Sequence, residues 1–111
     1  MAEEMRRVSG SLSARVSEQN GAAELHLRGE LDLESAGAVE KELLRALNGH
    51  SRLVLDLSDL TFMDSTGISV LVRAKREYDQ RNADFVVRLG GSSVRRVLDL
   101  VRVTEFLCVE D

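Results

Sequence analysis

Proline and tryptophan are absent from this 111-residue chain, cysteine occurs once, and aromatic residues make up only 4%. With so few rings available, the core has to be assembled from Leu, Val, Ile and Ala. A single thiol, Cys108, cannot close an internal disulfide, so no oxidising compartment is implied. Cys108 reads as a small apolar residue in a late strand rather than a redox sensor. No apolar run is long enough to span a membrane, and none near the N-terminus forms a signal-peptide core. The expectation is a cytoplasmic protein with no membrane partner. Positive charge is also in short supply: 15 Lys and Arg stand against 19 Asp and Glu, for a net charge of −4. A nucleic-acid partner, which needs clustered positive charge, is not expected. The small basic groups Arg73-Lys75-Arg76 and Arg95-Arg96 read as solvated helix faces. No repetitive or low-complexity stretch divides the chain. Residues 1–111 therefore read as one domain, ordered from about 11 to 109, with Met1 to Arg7 frayed.

What is present is a regular alternation of patterns. Ser11 to Ser17 places Leu12, Ala14 and Val16 on one face, and Ala23, Leu25 and Leu27 alternate with Glu24, His26 and Arg28. Between them Asn20-Gly21 marks a hairpin turn, so two antiparallel strands with a wet face are expected. His26 falls on the polar phase and reads as solvent-facing. After Gly29-Glu30-Leu31-Asp32 the period turns helical, with Ala36, Val39, Leu43 and Leu47 on one side. Asp32 is expected as the N-cap of that helix, Gly49 as its left-handed C-cap and His50 as a loop residue. Leu53 to Leu57 is nearly continuous apolar sequence, as in a strand covered on both faces. A second helix follows from Gly67, with Val70, Leu71, Ala74 and Tyr78 in phase. Phe85 to Leu89 is the next strand. Val94, Val97, Leu98 and Val101 outline a third helix, and Thr104 to Val109 is a last strand. The order β-β-α-β-α-β-α-β predicts an α/β sandwich with a mixed sheet: an antiparallel hairpin, then parallel strands joined by right-handed crossovers.

Enzyme chemistry finds little footing in the motifs. There is no G-x-x-x-x-G-K-[ST] loop, and Gly90-Gly91 reads as a plain turn. No His, Cys or carboxylate group has metal-ligand spacing, so neither metal nor cofactor is expected. Ser65 as a nucleophile would need a histidine base, and only His26 and His50 exist, on other parts of the sheet. The G-x-S-x-G elbow is missing as well. No catalytic residue is expected. Two aspartates remain: Asp32 and Asp64 each follow a strand and open a helix. In an open α/β sheet such positions lie at the carboxyl ends of the strands, where ligand and partner sites gather, and Asp56 is expected near that edge. By position alone both Asp32 and Asp64 are N-caps. The alternative is that they frame Ser65, with its hydroxyl at a helix N-terminus that favours anions. Whether Asp32 sits beside Ser65 depends on strand order.

Gly29-Glu30-Leu31-Asp32, Leu53-Val54-Leu55-Asp56-Leu57-Ser58 and Phe62-Met63-Asp64-Ser65-Thr66-Gly67-Ile68 together resemble the STAS domain, and more narrowly the bacterial anti-sigma factor antagonists. The resemblance runs from about Leu12 to Val109. It implies a STAS-like sandwich and a partner-switching phosphoprotein in transcription regulation. Ser65 corresponds to the serine phosphorylated by an anti-sigma factor serine kinase. The unphosphorylated form would bind that kinase and free the sigma factor. Phosphorylation would switch binding off, and a phosphatase would reset it. Asp32 corresponds to an acidic residue that supports the kinase contact. The implied partner surface is Asp32, Asp64, Ser65, Thr66, Gly67 and Ile68. Thr66 is a helix-start residue first and a minor phosphosite second. Gly67 would either let a partner approach closely or pack the helix start on its own sheet. Many relatives add a short helix after the last strand, and this chain stops at Asp111. A scaffold or sensory STAS domain, not acting on a sigma factor, is the alternative function.

Overall fold

Period-two alternation builds the first half of the sheet. In the computed structural model, which describes residues 5–110, strands β1 (Arg6–Ser9), β2 (Leu12–Gln19) and β3 (Ala22–Leu31) form an antiparallel meander. Asn20 and Gly21 make the β2–β3 turn with φ of 55° and 80°, the left-handed pair that matches the twist of a two-residue hairpin. From β3 onward strands alternate with helices. These are α1 (Ala36–Leu47), β4 (Arg52–Met63), α2 (Ser65–Gln80), β5 (Asp84–Arg88), α3 (Val94–Leu100) and β6 (Cys108–Glu110). The six strands lie in sequence order across one sheet, and β3 to β6 are parallel.

This strand order decides where the core sits. Each right-handed crossover steps in the same direction, which stacks the helices on one face. Leu53, Leu55, Leu57 and Val87 point to that face and belong to the main core, as do Val39, Leu43, Val70 and Leu71 of the helices. Tyr78 and Phe85 are fully buried there with ring centroids 5.2 Å apart, so two of the scarce aromatics join the aliphatic core, while Phe62 and Phe106 are exposed. The Tyr78 hydroxyl donates to the Leu43 carbonyl at 2.7 Å and ties α2 to α1. Burial pushes its pKa upward.

Among the described residues no helix covers the other face, and several expectations change there. Val54 and Val86 are buried yet lie outside the main core cluster. The β4 run Leu53–Leu57 is buried throughout, as the pattern predicts, with the helices over one face and the His26, Glu24 and Arg88 side chains gathered around Asp56 on the other. His26 is not solvent-facing: it is 9% exposed, with Nε2 2.7 Å from Asp59 Oδ2 and Nδ1 3.3 Å from Asp56 Oδ2. A register shift between β3 and β4, where His26 faces Asp56 and Arg28 faces Asp59, brings both carboxylates within reach. Asp56 is thus mid-strand and not near the carboxyl edge. Burial pushes its carboxyl up, but hydrogen bonds from Ser58 and the charges of His26 and Arg88 outweigh that and hold it below the ordinary value.

Smaller corrections follow from local geometry. Of the segment expected to be frayed, Arg6 and Arg7 pair with β2, and residues 1–4 lie outside the described residues. Helix α1 starts at Ala36 with Ser35 as N-cap, later than the pattern from Leu33 predicts. Its C-cap is Asn48, and Gly49 is not left-handed. His50 is no idle loop residue: its ring bonds the Ala46 carbonyl at 3.1 Å and pairs with Glu18. Residues 103–105 form a 3-10 turn, so the last strand is only Cys108–Glu110 and Cys108 is exposed on it. Val101 lies beyond α3 and is exposed. Among the described residues no helix is long and apolar enough to cross a membrane.

Candidate functional site

Strands β3 and β4 end side by side, Leu31 opposite Met63. The backbone N–H of Asp64 donates to the Leu31 carbonyl at 3.3 Å, which joins the two exits. Asp32 and Asp64 therefore follow neighbouring strand ends, and strand order does bring Asp32 to the edge that carries Ser65.

Asp64 is the N-cap of α2. Its backbone is extended (φ −105°, ψ −173°), and its Oδ1 accepts from the N–H groups of Thr66 at 2.9 Å and Gly67 at 3.2 Å. Ser65 is the first helical residue and is exposed. Among the described residues no hydrogen bond engages its hydroxyl. Thr66 and Ile68 are half-buried, Ile68 against the core. Gly67 is buried and faces the sheet: an added Cβ would lie 2.8 Å from Leu31 Cγ and from Met63 Cγ. Its missing side chain serves packing of α2 on its own strands, so of the two readings of Gly67 the packing one accounts for the position.

Asp32 does not cap α1 directly; it organises the turn before it. Its Oδ1 accepts from Glu34 N at 3.1 Å and Ser35 N at 3.2 Å. The buried Ser35 hydroxyl accepts from Asp32 N at 3.0 Å and points its proton toward Glu30 O and Asp32 Oδ1. Ser35 was not legible as a site residue, although a Ser three residues after an Asp is a recognisable turn signal. In sequence Gly29 closes the strand and opens the Gly29-Glu30-Leu31-Asp32 motif. Its φ of +113° and the Ser11 carbonyl, 2.1 Å from where a Cβ would stand, make it a position for glycine alone.

No histidine reaches Ser65, since His26 is mid-strand and His50 lies at the opposite end of β4. The one metal-like grouping among the described residues is Glu24, His26 and Asp56, whose ligand atoms lie within 4.8 Å of one another. It was invisible in the spacing because the β3–β4 register assembles it. Arg88 already bridges it, 3.0 Å from Glu24 and 3.5 Å from Asp56, so the group is an ion-pair lattice.

Comparison with known proteins agrees with the geometry. The STAS domain family model matches residues 13–110. RsfB of Mycobacterium tuberculosis, an anti-sigma-F factor antagonist, is 33% identical over 92 residues, covering 82% of this chain and 75% of that protein. An anti-sigma F factor antagonist of Paenibacillus polymyxa is 25% identical over 103 residues, covering 91% and 88%. Among solved structures, an anti-sigma factor antagonist from Mycobacterium paratuberculosis matches with a TM-score of 0.78 at 24% identity, over 89% of this chain and 85% of that one. The Bacillus cell fate determinant SpoIIAA in its phosphorylated form matches with a TM-score of 0.65 at 16% identity, over 99% and 92%. The two structural likenesses carry the fold; the family match and RsfB carry the kinship. With its strand-to-helix Asp64-Ser65-Thr66-Gly67 turn set beside Asp32, the chain belongs to the STAS domain family, among the bacterial anti-sigma factor antagonists.

Proposed function

We propose that this protein is a phosphorylation-controlled binding module and not an enzyme. In its unphosphorylated form it binds an anti-sigma factor serine kinase, which frees the sigma factor. Phosphorylation of Ser65 ends that contact, and a phosphatase restores it. The observation that carries this reading is the exposed, unengaged Ser65 hydroxyl on a helix start whose Thr66 and Gly67 amides are already held by Asp64.

That arrangement explains how a phosphate would act. A phosphoserine adds about −1.5 to −2 charge at neutral pH. The Thr66 and Gly67 amides are held by Asp64, and the carboxylates of Asp64 and Asp32 stand on the same edge. The charge stays on the surface and acts on the partner. An uncompensated charge buried at a contact costs about 4 kcal/mol, roughly a thousandfold in affinity. No refolding is needed.

The test is reconstitution with candidate anti-sigma kinases, with and without ATP. Wild type should bind, become phosphorylated at Ser65 and dissociate. Ser65→Ala should bind and stay bound in ATP, and Ser65→Asp should bind more weakly. Full phosphorylation of Ser65→Ala, or unchanged affinity of Ser65→Asp, refutes the mechanism.

A further inference from the structure

Two large apolar side chains stand exposed at the sheet end that carries Ser65: Leu33 at 78% and Phe62 at 47%. Leu33 follows Asp32 directly, and Phe62 pairs with Glu30 across β3 and β4. A lone exposed leucine is ordinary. What sets Leu33 apart is how firmly its turn is held. The Ser9 hydroxyl donates to the Glu34 carbonyl at 3.2 Å. The Glu34 carboxylate lies on Gly10, where an added Cβ would come 2.7 Å from its Oε1. On the other side Ser35 ties Asp32 back to Glu30. The backbone around Leu33 is thus braced from the β1–β2 turn and from the end of β3, and the side chain is held out into solvent. An apolar side chain carried on a fixed turn spares the cost of ordering the loop on binding, which suits an interface anchor. The nearby Glu30, Asp32 and Asp64 have no ion pair among the described residues.

Building on the functional reading above, we infer that Leu33, next to Asp32, is the apolar anchor of the anti-sigma factor contact. It seats in an apolar recess of that partner rimmed by cationic side chains. Ser65 determines whether the contact forms, and Leu33 determines how long it lasts.

The experiment measures binding of the full chain to its anti-sigma factor by surface plasmon resonance for wild type, Leu33→Ser and Leu100→Ser. Leu100, at the end of α3, is 74% exposed and serves as the control for general stickiness. Leu33→Ser should weaken Kd about ten- to fiftyfold, mainly through faster dissociation, with an unchanged melting temperature. Leu100→Ser should bind as wild type. Rising salt should weaken wild-type binding. An unchanged Kd for Leu33→Ser, or equal losses for both variants, overturns the anchor while leaving Ser65 control intact. A salt-independent Kd overturns the cationic rim. Failure of wild type to bind any anti-sigma factor overturns both the anchor and the functional reading beneath it.

Discussion

Replacing Gly67 with Ala tests what sets the start of α2 against β3. An added Cβ would stand 2.8 Å from Leu31 Cγ, 2.8 Å from Met63 Cγ and 3.1 Å from the Leu31 carbonyl oxygen. Leu31 and Met63 are buried, so a side-chain rotation that swings either Cγ aside drives it into the packed core. With three atoms this close, the cost falls in the upper part of the overpacking range, about 2–3 kcal/mol. Helix propensity returns at most about 1 kcal/mol. The net loss is therefore about 1–2 kcal/mol. Unfolding entropy for 111 residues is about 0.23 kcal/mol/K, so the melting temperature should fall by about 4–9 °C. Gly37 is the control, since nothing lies within 4 Å of its added Cβ and it sits in the first turn of α1. Gly37→Ala should gain about 0.4–1 kcal/mol and melt about 2–4 °C higher. Circular dichroism melts, with urea midpoints as a second measure, decide the matter. If Gly67→Ala melts at or above wild type, the packing argument is wrong.

Two further perturbations probe the same framework. Asp64→Ala removes the cap of α2 and should cost about 1 kcal/mol, with faster amide exchange at Thr66 and Gly67; unchanged exchange there would contradict the capping geometry. His50 is held above its ordinary value of 6.5 by its pairing with Glu18, then by the Ala46 carbonyl. Its stabilising effect is complete below that value and is lost as pH rises through the raised one. Between about pH 6 and 8 wild type should lose more stability than His50→Gln, measured as urea midpoints; parallel curves would remove His50 as the cause.

The helices and the site were legible because their signals are local. Val70, Leu71, Ala74 and Tyr78 declare the buried stripe of α2, and Asp64 before Ser65-Thr66-Gly67 declares its cap. The hairpin was legible from Asn20-Gly21. Features set by long-range pairing were not. His26 looks wet in sequence because its neighbours alternate, but two carboxylates from β4 close over it once the register shifts. Arg6 and Arg7 read as a polar tail, although an edge strand tolerates charge and needs few apolar residues. The later start of α1 reflects Asp32 and Ser35 spending their hydrogen bonds on a turn of their own. The closeness of Asp32 to Ser65 followed only from the adjacency of β3 and β4.

The Asn20-Gly21 turn lies at the sheet end opposite Leu31, one strand length of about 30 Å away. A fluorophore or affinity tag placed there would sit well clear of Asp32 and Ser65. It would let binding and release be followed in real time without adding bulk to the contact being measured.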